Sequence, residues 1–248
     1  MRYFDVHLHL PSPDDEGLGA LLRHVESEKG MVGGLLVLNT REEVEFAHGR
    51  LGSLPPTLGL LPYFDPSAAF PEEFTRSGWY KIHPRISRVS AATVGALCEA
   101  AVAARPRGLM VHCFPWGPEL EFNVSLPLVI ALARALPDTQ VLVSHGGGYE
   151  SWAFRAHTGG LRNVCYDFSV TMSYYQGSDV LRPFQRYLRH STGRVLFGSD
   201  WPSAPPGEQL AECARLAAEV GVGAEELEEI FLTNSRRFWP EAFASNRD

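Results

Sequence analysis

The stretch Tyr3-Phe4-Asp5-Val6-His7-Leu8-His9 decides the fold, because it reads as a buried strand ending in two ligand-type side chains. Residues two apart share one face of a strand, so His7 and His9 point the same way. Imidazoles inside an apolar strand are costly without partners. Two on one face begin a site for a divalent metal; the alternative is a pair of core or surface histidines. The residues after this strand matter equally. An open doubly wound sheet would place a glycine-rich phosphate turn there. Here the strand runs into Leu10 and Pro11, with no G-x-G-x-x-G pattern behind them.

Outward from this strand, seven more apolar runs rich in β-formers recur. They are Gly34–Asn39, Thr57–Tyr63, Trp79–His83, Leu109–Phe114, Gln140–His145, Asn163–Phe168 and Arg194–Ser199. Helical spacing fills the intervals. Thr40-Arg41-Glu42-Glu43 predicts a capping box, with Thr40 as cap and Glu43 reaching back. Ser90 is expected to cap Ala91–Ala104, an alanine-rich stretch. Pro127–Leu136 and Gly207–Val220 read alike. A last helix is expected over Ala224–Trp239, with Leu227, Ile230, Phe231, Asn234 and Phe238 in register. Asp65–Gly78 is interrupted by proline and predicts only a short helix around Pro71–Phe74, and Tyr149–Leu161 shows no clear pattern. Strand and helix in alternation imply a parallel sheet with helices outside. Eight such units predict closure into a (β/α)8 TIM barrel, and 248 residues suit one such domain over residues 1–248.

Composition narrows the function. The formal charge is −7, and no run of lysine and arginine appears. Phosphate binding needs a basic stripe, so no nucleic-acid role is expected. No segment suits a membrane span or a signal peptide, and a cytoplasmic enzyme is expected. Cys98, Cys113, Cys165 and Cys213 form no C-x-x-C pair, which predicts free thiols.

The polar residues gather where strands end. His7 and His9 close the first predicted strand, Lys81 and His83 the fourth, His112 the fifth and His145 the sixth, and Asp200 follows the eighth. In a parallel barrel these ends face one mouth, where barrel enzymes hold their sites. His7, His9, His112 and Asp200 are therefore expected to bind one divalent metal. For His112 taken alone, a core imidazole is the competing reading; for Asp200, a turn or cap. His145 leads into Gly146-Gly147-Gly148, which suit either a close approach or a tight turn, and is expected to bond the metal's water and shuttle protons, with metal ligation as the alternative. Lys81, His83 and Arg85 read as a substrate-facing cluster that holds a carboxylate. Tyr63, Trp116 and Trp201 lie at or just after strand ends and are expected to line the mouth.

These segments together resemble the amidohydrolase-related (amidohydrolase 2) family, in the branch that includes aminocarboxymuconate semialdehyde decarboxylase and pyrone dicarboxylate lactonase. Asp-Val-His-Leu-His, His112, His145-Gly-Gly-Gly, Gly-Ser-Asp200-Trp-Pro and the tail Ile-Phe-Leu-Thr-Asn-Ser-Arg-Arg-Phe-Trp succeed one another in that family's order. The resemblance implies His7, His9 and His112 as ligands of zinc, with manganese as the alternative, Asp200 as ligand and general base, and His145 as the histidine at the water or substrate. In binuclear relatives a carboxylated lysine on the fourth strand bridges two ions. Lys81 in that part would put His112 and His145 on a second metal.

The expected activity is hydrolysis of a small lactone, ester or amide by a metal-activated water. The alternative is non-oxidative decarboxylation of a small unsaturated or aromatic acid. A non-catalytic small-molecule-binding barrel is the reading from another class. The expected partner is a small substrate, with a carboxylate in view of the basic cluster, and a homo-oligomer is compatible with such a barrel.

Overall fold

The computed structural model describes residues 1–240, so the last eight residues of the predicted domain lie outside the described part. Eight parallel strands form among the described residues: β1 (Tyr3–Leu8), β2 (Met31–Leu38), β3 (Leu58–Pro62), β4 (Trp79–Ile82), β5 (Gly108–Val111), β6 (Gln140–Val143), β7 (Val164–Asp167) and β8 (Val195–Leu196). β1 to β3 make one sheet and β4 to β8 another, each in chain order. Both seams between them are bonded. Phe64 N donates to the Lys81 carbonyl beside a Tyr63–Lys81 bridge, and Val6 N, Asp200 N and His9 N donate to Phe197, His7 and Trp201 carbonyls.

One apolar cluster draws on every strand: Phe4, Val6, Leu35, Val37, Leu61, Trp79, Met110, Leu142, Cys165 and Leu196. This is the packed interior of a TIM barrel. Leu232, Phe238 and Trp239 of the C-terminal helical segment join it. A second cluster packs the helices against β4 to β8, and a third lies under the helices beside β1 to β3. None of the helices among the described residues is long and apolar enough to cross a membrane.

The helices include α1 (Asp15–Ser27), α2 (Arg41–His48), α3 (Glu72–Thr75), α4 (Val94–Ala104), α5 (Ser125–Ala135), α6 (Ser151–Thr158), α7 (Thr171–Tyr174), α8 (Arg182–His190), α9 (Pro206–Glu219), α10 (Ala224–Glu228) and α11 (Asn234–Phe238). Thr40 caps α2 through Glu43 N, but the Glu43 carboxylate takes the N–H of Asn39 rather than that of Thr40. α4 begins later than expected, because the Ser90 carbonyl accepts from Thr93 N and Val94 N in a preceding turn. α1 and α8 lie outside the predicted helices. The acidic, glycine-containing start of α1 has loop-like composition, yet Asp14 caps it by accepting from Gly17 N. The expected last helix is broken by a π-helical turn over Glu229–Thr233, where the Ile230 carbonyl accepts from Phe197 N.

Candidate metal centre

Strand periodicity builds the site one layer above the apolar interior. Two residues beyond Trp79, Met110, Leu142, Cys165 and Leu196 come Lys81, His112, Ser144, Asp167 and Gly198. The same period of two turns them inward at the C-terminal mouth. On β1 the register against β2 shifts between Asp5 and Leu8, and His7 and His9 end side by side with ring centroids 5.0 Å apart. Asp5 braces this segment. Its Oδ1 accepts from His7 N at 3.0 Å and from Ser199 N at 2.9 Å, across the β1–β8 seam.

Asp200 completes the first group. Its Oδ1 lies 3.4 Å from the Nε2 atoms of both His7 and His9. A left-handed backbone at Asp200 (φ 70°) turns this carboxylate inward. Burial opposes its charge, but His9, His145 and His7 outweigh burial and hold the carboxyl well below the usual carboxylate range. The His9 Nδ1 lies 3.1 Å from the Val37 carbonyl, which can only accept, so Nδ1 carries a proton and Nε2 is the nitrogen turned toward Asp200. At His7 the Lys81 ammonium sits 3.0 Å from Nε2 and can only donate, which leaves the proton on Nδ1. Burial, helped by Lys81, pushes His7 down to about 3, so the imidazole is neutral.

A second group lies behind the first and includes Asp167 and Ser169, two residues absent from the expected site. Ser169 Oγ donates to Asp167 Oδ1 and stands 2.9 Å from both His7 Nδ1 and His145 Nδ1. Asp167 Oδ1 also accepts from His145 N and Ser169 N, and its Oδ2 lies 3.4 Å from His7 Nδ1. Burial opposes the charge on Asp167, yet His7, His145 and Ser169 hold its carboxyl well below the ordinary range. The sequence signal was an aspartate at the end of a predicted strand, the same signal that marks Asp200.

His145 reaches the site by an unusual route. Strand parity would turn Ser144 inward and His145 away. His145, Gly146 and Gly147 all take left-handed backbone (φ 61°, 56° and 87°), which folds the imidazole back between Ser169 and His112. The neighbours explain why glycine comes next, since a Cβ on Gly146 would stand 2.5 Å from Phe184 and one on Gly147 2.3 Å from Phe154. The imidazole of His145 also meets a second histidine. Its Nε2 lies 3.1 Å from His112 Nδ1. His112 Nε2 is buried without a hydrogen-bond partner.

The expected basic cluster is divided. Lys81 is buried in the lumen, facing His7 and Ser144, and burial lowers its ammonium to about 8. His83 stacks flat on His112, with centroids 3.9 Å apart. Arg85 donates to the Trp116 carbonyl at 2.8 Å. The aromatic expectations divide too. Trp116 lines a cleft with Arg85, His112, Phe114 and Tyr149. Trp201 instead stacks on His24 of α1, and Tyr63 packs edge-on against Phe70 over the outer cluster. Chain connectivity puts them near the mouth, but their rings serve the helix layer. The four cysteines are buried and unpaired.

The donor set fits a divalent ion. The ligand atoms of His7, His9 and Asp200 lie within 4.8 Å of one another, and so do those of His7, His145 and Asp167. Neutral imidazole with carboxylate suits zinc or manganese. In the first group each histidine ties its Nδ1 to an acceptor and turns Nε2 toward Asp200, as ligating histidines do. In the second group the Nδ1 atoms are already engaged by Ser169.

A family model described as amidohydrolase matches residues 4–240. No curated protein matches the sequence. Among solved structures, an amidohydrolase from Burkholderia multivorans with bound HEPES is 17% identical, with a TM-score of 0.69 over 97% of this chain and 99% of that one. An uncharacterised TIM-barrel protein from Bordetella bronchiseptica is 13% identical, with a TM-score of 0.66 over 98% and 100% of the two chains. A TatD homologue from Escherichia coli is 13% identical, with a TM-score of 0.54 over 96% and 98%. At these identities the likeness is one of fold.

Proposed function

The chain belongs to the amidohydrolase family, and on that premise we propose that it is a metal-dependent hydrolase of a small carbonyl substrate: a lactone, ester or amide. One observation carries the reading. Asp200 Oδ1 stands 3.4 Å from the Nε2 atoms of His7 and His9, whose Nδ1 atoms are held by Ser169 Oγ and by the Val37 carbonyl. His7, His9 and Asp200 would hold one zinc or manganese ion, and His112 would add its unpartnered Nε2. A divalent ion lowers the pKa of its water to about 7 and so makes hydroxide available at neutral pH.

The chain's own groups do the rest. Asp200 stays ionised over the physiological range, so it can take a proton from the attacking water and return it to the leaving group. The substrate enters the cleft beside His112. Trp116 and Tyr149 offer ring faces there, and Arg85 a guanidinium for a substrate carboxylate. Lys81 lies deeper, between Ser144 Oγ and His7 Nε2, and an ion on that nitrogen would take the place of its ammonium there.

Elemental analysis of the purified chain is expected to find about one zinc or manganese ion per molecule. Asp200→Ala is expected to lower kcat by roughly 10²-fold or more on a lactone or ester that the wild type hydrolyses. Full activity after metal removal would reject the mechanism. Carbon dioxide release from unsaturated or aromatic acids, without lactone opening, would assign decarboxylation instead. Two ions per chain would move Lys81 and His145 into the ligand set.

A further inference from the structure

The outer faces of the helices form a groove of about 350 Å³ that shares no residue with the cleft beside His112. Arg182, Arg186, Arg189 and His190 of α8 line it, with Trp152 of α6 and Val220 at the end of α9. Both of those helices pack against α8. The linear sequence hides the cluster, because no two arginines are adjacent. On a helix, positions i, i+4 and i+7 share one face. Arg182, Arg186 and Arg189 take that spacing and are exposed, while Phe184, Tyr187 and Leu188 are buried on the other face. The three arginines are then set about 6 Å and 4.5 Å apart along the axis.

A solvated face is the ordinary reading of such a row, but the stability of α8 does not call for it. A cation in the first turn opposes the helix dipole, and like charges at i and i+4 repel. The first turn of α8 holds no acidic residue. Asp179 pairs with Arg182 at 3.0 Å, and Glu219 accepts from Gln185 and Arg215. Arg186 and Arg189 have neither an ion pair nor a side-chain hydrogen bond among the described residues. In a chain of net charge −7, two unpaired guanidiniums in a hollow favour an anion there. Their planar forks match phosphate oxygens two at a time. Trp152 is 52% exposed, and no other described ring packs on it, so its indole offers a free stacking face. The volume falls at the small end of the roughly 300–1,000 Å³ that small-molecule sites occupy.

We infer that this groove is a second ligand site, which takes a nucleoside phosphate. Arg186 and Arg189 hold the phosphates, and Trp152 stacks on the base. The site stands apart from the metal centre and does not rest on the function proposed above.

Isothermal titration calorimetry of the full chain with ADP tests the site. One ADP is expected to bind per chain with a Kd of about 1 mM or tighter. Pyrophosphate and adenosine, which each keep only part of the contacts, should bind more weakly. Arg186→Ala and Arg189→Ala are each expected to weaken ADP by about 10-fold or more, the scale of a lost hydrogen bond to a charged group. Arg186→Lys and Arg189→Lys keep the charge without the fork and should fall between. Trp152→Ala should weaken ADP by about 10-fold and leave pyrophosphate unchanged.

An ADP held instead by an ion at the barrel mouth would be lost in Asp200→Ala and kept in Arg186→Ala; that result overturns the groove, and the reverse result supports it. Failure of ADP to bind, or pyrophosphate binding as tightly as ADP, also overturns the proposal. So does a glutamate-rich peptide that binds these arginines more tightly than ADP, since the groove would then receive an acidic chain. A wild type that hydrolyses no ester or lactone yet binds ADP through Arg186, Arg189 and Trp152 would sink the hydrolase reading and leave this site standing.

Discussion

At Gly198 a methyl group would stand 2.9 Å from the His7 Cβ and 3.3 Å from the Ser169 Cβ, both in the wall of the site. Neither neighbour can yield without moving a strand. Gly198→Ala is therefore expected to destabilise the chain by roughly 1–3 kcal/mol, the usual cost of overpacking a core. It should also weaken zinc binding, because His7 is the residue displaced. Urea unfolding and a zinc titration check both, and an alanine variant with wild-type values in both would refute the clash. Asp5 offers a different residue-scale test. Its carboxyl is buried, Oδ2 has no partner, and burial raises it from 3.8 to about 7. The folded chain therefore holds this proton more tightly than the unfolded chain does. Its contribution to stability is complete below about pH 4 and fades as pH rises through about 7, a change of roughly 4 kcal/mol. Asp5→Asn keeps an oxygen for His7 N and Ser199 N but carries no charge. Unfolding free energies measured from pH 4 to 8 should lose that downward slope in the variant; parallel curves would show that Asp5 does not titrate there.

The elements differ in how openly the sequence shows them. All eight strands are legible, because a barrel interior needs short runs of β-branched and large apolar residues at each strand. The first three site residues are legible for the same reason, since a histidine or aspartate at the end of such a run has nowhere to go but the mouth. Asp167 and Ser169 escape notice because Asp-Phe-Ser closing the seventh strand also reads as the entry to an ordinary turn, and three histidines with Asp200 already fill the expected site. Their role appears only when the fold brings β7 beside β1 and the loop after β6. The last helical segment shows the limit most clearly. Its spacing predicts one helix, but a carbonyl is diverted to β8 at Ile230, and the ladder widens into a π-helical turn. Just beyond it, Asn234 occupies a core position of the repeat and donates to the Thr192 and Val195 carbonyls at 2.7 Å each. These bonds tie α11 to the start of β8. Asn234→Leu would fill the space yet strand two buried carbonyls, at about 1–3 kcal/mol for each group left unpaired. Thermal unfolding should register that loss, while zinc affinity stays near wild type because the change lies at the opposite end of β8 from Asp200. A fully stable leucine variant would mean that the carbonyls find water.

On the scale of the whole molecule, the proposed ligands straddle a seam. His7 and His9 end β1 in the three-stranded sheet, while Asp200 comes after β8 in the five-stranded one. At this seam the protein joins the first element of the chain to one of the last through the bonds of Val6, His9 and Asp200 and through the Asp5 carboxylate. An ion held by ligands from both sides would clamp the ring where sequence separation is greatest. Any ligand that binds only the folded state stabilises it by mass action, about 2.7 kcal/mol at a free concentration of 100 times Kd. Zinc or manganese is thus expected to raise the Tm of metal-free protein by several degrees, as that free energy implies for a chain of this size. His9→Ala removes one ligand from the β1 side and Asp200→Ala removes the sole carboxylate of the trio; each should abolish most of the rise. Arg85→Ala, out in the cleft, should leave the rise intact while weakening the binding of carboxylate substrates. If His9→Ala and Asp200→Ala gain as much as the wild type on adding metal, the ion sits elsewhere and the seam is held by the backbone bonds alone.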